Sequence, residues 1–235
     1  MARSLTDEAI DRIREFVRSG RFPAGSRLPP EHELAAELGI SRSPTREAVK
    51  ALALARVLEV RRGDGTYVTS LAPGLLLEGL GNAVSLMQDG TVLELTEVRR
   101  LLEPAATGLA ATRIGDDRLS AVAELLEAMQ DAVEDVERLT VLDAAFHREV
   151  IAAAGNETLT ALLDGISSRT LRARIWRGTV DRGVTHETLS QHRAIYDALV
   201  ARDPGVATAA ALMHVDTSER WLRAHLAELR ALEGA

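Results

Sequence analysis

A mostly α-helical fold in two parts, with one small β-hairpin near the end of the first, is what this sequence predicts. Three observations carry that expectation. Apolar residues recur at helical spacing through most of the 235 residues, the mark of amphipathic helices. The exception lies at residues 57–69, where Asp64-Gly65 falls between two β-rich pieces, a strong hairpin signal. Composition then shifts at Ser70-Leu71-Ala72-Pro73-Gly74, where a Pro-Gly pair punctuates the chain. The expected organisation is a domain over 1–70, a linker over 71–74 and an all-helical domain over 75–235.

In the first part, Leu5, Ala9, Ile10, Ile13, Phe16 and Val17 follow helical spacing, and Gly20 supplies a stop. After the turn-rich Phe22-Pro23-Ala24-Gly25-Ser26, a short helix turns Leu34, Ala35 and Leu38 inward and ends at Gly39. Ser43 then reads as an N-cap with Pro44 at the first helical position, where a missing N–H costs nothing. The third helix runs to about Leu54. Two helices joined by a tight turn have helix-turn-helix proportions. The pieces Val57–Arg61 and Thr66–Thr69, joined by Arg62-Gly63-Asp64-Gly65, add a wing, so the domain is expected to be a winged helix-turn-helix.

From Leu75 onward the pattern is helical, with about seven segments: 75–88, 92–114, 117–136, 138–154, 157–179, 185–201 and 204–232. Thr91 and Asp116 read as N-caps, Gly155 as a C-terminal stop and Pro204 as a helix start after Asp203. The expected architecture is a helical bundle.

Composition excludes several classes. There is no cysteine, so thiolate metal sites, Cys nucleophiles and disulfide scaffolds are out. No apolar run approaches the roughly 20 residues that span a bilayer, and Met1–Glu8 lacks the apolar core of a signal peptide, so a cytoplasmic location is expected. The net charge is −7, but residues 1–70 hold 12 Lys and Arg against 10 Asp and Glu, while the remainder holds 16 against 25. A locally basic head outweighs the total, because attraction to phosphate is screened over roughly 10 Å. The third helix is narrow enough to enter a major groove, with Arg42 and Arg46 at its leading end and Arg61 and Arg62 on the wing. Double-stranded DNA is the partner this pattern suggests.

The stretch Arg27-Leu28-Pro29-Pro30-Glu31-His32-Glu33-Leu34-Ala35 through Gly65-Thr66-Tyr67-Val68 resembles the head of the GntR family of bacterial transcription regulators. The resemblance implies that Arg42 and Arg46 contact bases, helped by Ser43 and Thr45, with Gly65 at the wing tip. Lys50 is expected, with Arg42, Arg46 and Arg62, to neutralise phosphates or read bases. His32 stands where the family has Arg, which implies a weaker or different contact there. Arg56 stands where a Gly normally ends the recognition helix.

Asp143 and His147 are four apart and share one helix face, roughly 6 Å apart along the axis. His192 and His214 lie on later helices. One carboxylate and three imidazoles suit Zn, Ni, Mn or Fe, although a single His on a helix is more often a core or surface residue. The pattern resembles the FCD ligand-binding domain of the FadR-like subfamily, through Glu97-Val98-Arg99-Arg100-Leu101-Leu102-Glu103, Asp143-(three residues)-His147, Gly155-Asn156, His192-Arg193-Ala194-Ile195 and His214. That resemblance implies a divalent metal, zinc foremost, on Asp143, His147, His192 and His214, with Arg99 in the pocket and a small carboxylate as effector. Arg172 and Arg174 are weaker candidates for the pocket. His186 and His225 fall outside the pattern and are expected on the surface. The expected whole is a homodimeric repressor on a pseudo-palindromic operator. A helical metalloenzyme is the rival reading, but no HExxH motif, nucleophile elbow, Walker loop or dinucleotide fingerprint is present. A purely structural metal or an acyl-CoA effector are further alternatives.

Overall fold

The computed structural model describes residues 3–87, 91–180 and 184–233. Its contacts divide the chain into two compact units, Met1–Gly79 and Leu80–Ala235.

The first unit opens with α1 (Leu5–Arg18), whose start is closed by a reciprocal capping box between Ser4 and Asp7. Then come α2 (Glu31–Leu38), α3 (Arg42–Leu54), β1 (Leu58–Arg61) and β2 (Gly65–Val68). The strands pair antiparallel with Leu58 opposite Val68 and Arg61 opposite Gly65. Their alternation puts Leu58 and Val68 into a core with Ile13, Leu34, Leu38, Ala48 and Leu52. Burying each such aliphatic side chain contributes about 1.5–3 kcal/mol, which fixes α3 against the other two helices and leaves its opposite face in water.

Two local expectations are corrected, and a third is met by an unexpected residue. The N-cap of α3 is Ser41, not Ser43; Pro44 sits within the first turn, where backbone N–H groups have no intrahelical partner anyway. The helix still ends at Leu54 without the family's glycine, because Arg56 itself takes the left-handed conformation (φ 59), at a cost of about 1–2 kcal/mol for a non-glycine residue. Residues 71–74 are not all linker: Pro73 begins a short helix, α4 (Pro73–Leu76), and Glu78 at the start of α5 (Glu78–Ser85) pairs with Arg56 at 2.8 Å.

The second unit is a bundle of α6 (Thr91–Arg113), α7 (Asp116–Asp131), α8 (Val136–Ala153), α9 (Glu157–Val180), α10 (Val184–Val200) and α11 (Pro204–Glu233), together with the end of α5. The expected segmentation holds to within about five residues, except that 75–88 is divided between α4 and α5. Thr91 and Asp116, expected as N-caps, are instead the first helical residues of α6 and α7, and Gly115 caps α7. Asp203 caps α11 by accepting from the Gly205 and Val206 amides. The main core joins α6, α7, α8, α10 and α11 through Ala110, Leu126, Phe146, Ile195 and Ala211. Gly108 lets α6 and α11 approach closely: a Cβ there would stand 2.3 Å from Thr208 Oγ1 and 3.2 Å from the Pro204 carbonyl. That approach sets the helix carrying Glu103 against the helix carrying His214. No described helix is long and apolar enough to cross a membrane.

Candidate metal centre and nucleic-acid interface

The second unit brings four of the expected residues to one point. Asp143 and His147 rise one turn apart on α8, His192 comes from α10 and His214 from α11. One ligand atom from each lies within 4.8 Å of all the others. His147 Nε2 is 3.1 Å from His214 Nε2 and 3.2 Å from His192 Nε2. Asp143 Oδ1 is 3.2 Å from His192 Nε2 and 3.6 Å from His147 Nε2. The group is largely buried, with His192 at 0% and His214 at 3% exposure, and Phe146 packs against His192 at 4.6 Å between ring centres.

The donor set fits a divalent cation. Metal–nitrogen bonds of about 2.0–2.1 Å place neighbouring ligands about 3.0 Å apart in octahedral and about 3.3 Å apart in tetrahedral geometry. The distances of 3.1, 3.2, 3.2 and 3.6 Å within the cluster are close to these. Five- or six-fold coordination would leave a position for a further oxygen. The His214 tautomer agrees. His214 Nδ1 donates to Gln191 Oε1 at 2.9 Å, which leaves the His214 Nε2 lone pair facing the cluster, and His147 Nδ1 stands 3.5 Å from Glu103 Oε2. That lone pair stands 3.1 Å from His147 Nε2, a clash unless a proton or a cation lies between the two nitrogens. Burial, then the neighbouring His192 and His147, push the His214 pKa well below its usual 6.5, so protonation does not resolve the clash at that ring.

A pH dependence follows. Unfolded, His214 takes a proton as pH falls through about 6.5; folded, it refuses one until well below that. The unfolded state therefore binds more protons, and metal-free protein is expected to lose stability as pH drops below 6.5. Melting curves of chelator-treated protein test this; a midpoint constant between about pH 7.5 and pH 5.5 would contradict it.

A cavity of about 40 Å³ opens beside the cluster, bounded by Asp143, His214, Thr140, Thr185, Ser218 and Arg177. Arg177, on α9 and 8% exposed, donates to Ser218 Oγ at 3.0 Å and reaches Glu187 Oε2 at 3.4 Å. Reading the sequence missed this residue. Arg169, Arg172, Arg174 and Arg177 crowd one segment of α9, and spacing alone does not choose among them. Arg99 is 3% exposed and pairs with Glu103 at 2.5 Å. Burial opposes its charge, but the attraction and hydrogen bond of Glu103 outweigh that and hold the pKa above its usual value. Arg99 borders a smaller neighbouring cavity, shared with Thr96, Thr170, Arg177 and Ser218. The side chains of Arg172 and Arg174 lie outside the described residues. His186 is exposed as expected, whereas His225 is half-buried and stacks on Trp221 at 4.2 Å.

In the first unit Arg42, Ser43, Arg46 and Lys50 all lie exposed on α3. Thr45 does not: it is 0% exposed and its hydroxyl bonds back to the Ser41 carbonyl at 3.1 Å. The expectation that it helps contact DNA is corrected, since it locks the helix start from inside. Glu31 on α2 grips Arg46 through both oxygens, at 2.9 and 3.1 Å from Nε, and the Arg46 hydrogen bond holds the Glu31 pKa below its usual value. Lys50 pairs with Glu47 at 3.0 Å, and His32 stands exposed, 3.6 Å from Glu33. Gly65 opens β2 at the wing tip with φ +157.

A recognition helix and wing on one unit, and a buried imidazole–carboxylate cluster beside a small cavity on the other, define a DNA-binding regulator with a sensor-type helical domain. The chain matches the bacterial regulatory proteins of the gntR family over residues 5–68 and the FCD domain over 94–217. It is 30% identical to the HTH-type transcriptional regulator LutR of Bacillus subtilis, over 91% of this chain and 99% of that one. It is likewise 30% identical to the galactonate operon transcriptional repressor of Escherichia coli, over 95% of this chain and 99% of that one. Among solved structures, a Streptococcus agalactiae GntR protein superposes with a TM-score of 0.66 at 32% identity, covering 92% of this chain and 99% of that one. The chain belongs to the GntR family of transcription regulators, in the group that carries an FCD domain; it is a DNA-binding regulator and not an enzyme.

Proposed function

We propose that this regulator senses a small carboxylate through a divalent metal, zinc foremost, held by Asp143, His147, His192 and His214. The observation that carries this reading is the convergence of those four donors beside a cavity lined by two of them, Asp143 and His214, together with Arg177. A cation there supplies a Lewis acid for one carboxylate oxygen, and the Arg177 guanidinium is placed to fork onto a second polar group. Arg99 and Glu103 stand behind as a neutralised pair. The cavity is small, about 40 Å³, which favours a small organic acid over a long acyl chain. The galactonate repressor among the relatives is named for an organic acid, which supports the same class.

In this reading the protein works in the cytoplasm as a homodimer. Two recognition helices meet the half-sites of a pseudo-palindromic operator. Arg42 and Arg46 read bases; Ser43, Lys50, His32 and the Gly65 backbone position the head on phosphates. The acid releases the operator, making the protein a repressor. It can do so only by binding the two arrangements of the heads unequally, with couplings of about 1–3 kcal/mol.

The test is a melting screen with small organic acids on metal-loaded and chelator-treated protein. An acid at 100 times its Kd is expected to add about 2.7 kcal/mol, or about 5–10 °C, in loaded protein only. A full shift after chelation would point to a metal-independent site; the absence of any metal in purified protein would overturn the reading.

A further inference from the structure

Arg27 lies outside the set of residues read above as DNA contacts. Its backbone forms an isolated antiparallel bridge with Tyr67, flanked by Leu28 N–H to Thr66 O at 2.8 Å and Val68 N–H to Ser26 O at 2.9 Å. The chain at 26–28 thus lines the free edge of β2. Side chains alternate across such a ladder, so Leu28 and Val68 enter the core while Arg27, Tyr67 and Gly65 share the outer face. The Arg27 guanidinium runs along that face to the wing tip, where Nη2 donates to the Asp64 carbonyl. It passes directly over Gly65: a Cβ at that position would stand 2.7 Å from Arg27 Nε. The bare glycine therefore clears a path for this side chain.

Charge accounting separates Arg27 from most of its neighbours. Of the 12 Lys and Arg residues in the first 70, eight lie within 4.0 Å of a carboxylate. Among the described residues, Arg14, Arg27, Arg42 and Arg62 have no such partner. Arg42 opens the recognition helix and Arg62 sits in the wing turn. Arg27, anchored by one carbonyl and exposed to solvent, adds an uncompensated charge at the same wing. A guanidinium keeps five donors in a fixed fork that matches phosphate, and one arm tied to backbone holds that fork in place.

We infer that Arg27 is a DNA-backbone contact of the wing, a phosphate clamp carried by the edge segment before α2 and steadied by the Asp64 carbonyl. It adds affinity for duplex DNA without adding sequence preference.

The experiment uses full-length protein and a duplex selected by the wild-type chain from a random pool, with a scrambled duplex as control. Binding is followed by fluorescence anisotropy between about 50 and 200 mM salt, a range over which phosphate contacts dominate the change. Arg27→Ala is expected to weaken both duplexes by the same factor and to flatten the slope of log K against log salt by about 0.9, equivalent to roughly a 3.5-fold smaller loss across that range. Arg27→Gln, which keeps a donor for the Asp64 carbonyl but no charge, is expected to flatten it equally. An unchanged salt slope in both variants overturns the proposal, even if affinity falls, because a side chain that only props the wing releases no counterions. A loss confined to the selected duplex overturns it as well, since that is the mark of base reading.

Discussion

His147→Ala is expected to empty the metal centre. The His147 Nε2 atom is the hub of the cluster, 3.1 Å from His214, 3.2 Å from His192 and 3.6 Å from Asp143. Its side chain is also the most open of the four donors, at 12% exposure, so truncation disturbs packing less there than at the fully buried His192. Removing even an outer-shell partner of a metal ligand costs about 10–100-fold in affinity, and loss of an inner ligand is expected to exceed 100-fold. Metal at 100 times its Kd stabilises a folded protein by about 2.7 kcal/mol; in the variant that gain is expected to vanish. Elemental analysis of both proteins, with melting curves before and after chelation, makes the check. Equal metal content in the two would place the ion elsewhere.

The second large effect is expected at the recognition helix. Arg42→Ala and Arg46→Ala should each cost about 5- to 150-fold in discrimination between operator and unrelated duplex, the range for a base-reading arginine. Arg46 is expected to show the larger loss, because Glu31 already holds its guanidinium in one orientation and less ordering remains for DNA to supply. Lys50→Ala should weaken all duplexes alike, as a phosphate contact does. Competition binding against operator variants distinguishes these outcomes. An unchanged footprint and unchanged affinity in Arg46→Ala would remove it from the interface.

These sites were legible to different degrees, for physical reasons. Helix periodicity, the Asp64-Gly65 turn and the Asp203-Pro204 start are local signals, and the elements they predict stand where expected. The candidate metal cluster was legible only in part. Asp143 and His147 share a helix face by spacing alone, but the convergence with His192 and His214 depends on packing that spacing does not encode. Arg177 escaped notice because its place at the cavity follows from contacts with Ser218, 41 residues on, and with α10. Gln191, which accepts from His214 Nδ1, and Glu103, which faces His147 Nδ1, are ordinary helix residues until the fold puts them behind a candidate metal ligand. Thr45 misled because exposure on a recognition helix alternates every few residues: Arg42 and Arg46 face outward, and Thr45 between them turns in to meet the core. Arg56 shows the reverse case. The backbone keeps the left-handed helix end that the family fills with glycine and strains an arginine to do so.

The most direct measurement couples both halves. Operator affinity is measured with and without the acid found in the melting screen, on metal-loaded protein and on the same protein stripped by chelator. The expected result is a change of about 5- to 150-fold in operator affinity on adding acid, present in loaded protein and absent in stripped protein. An equal response in both would contradict an ion-organised sensor coupled to the DNA-binding heads.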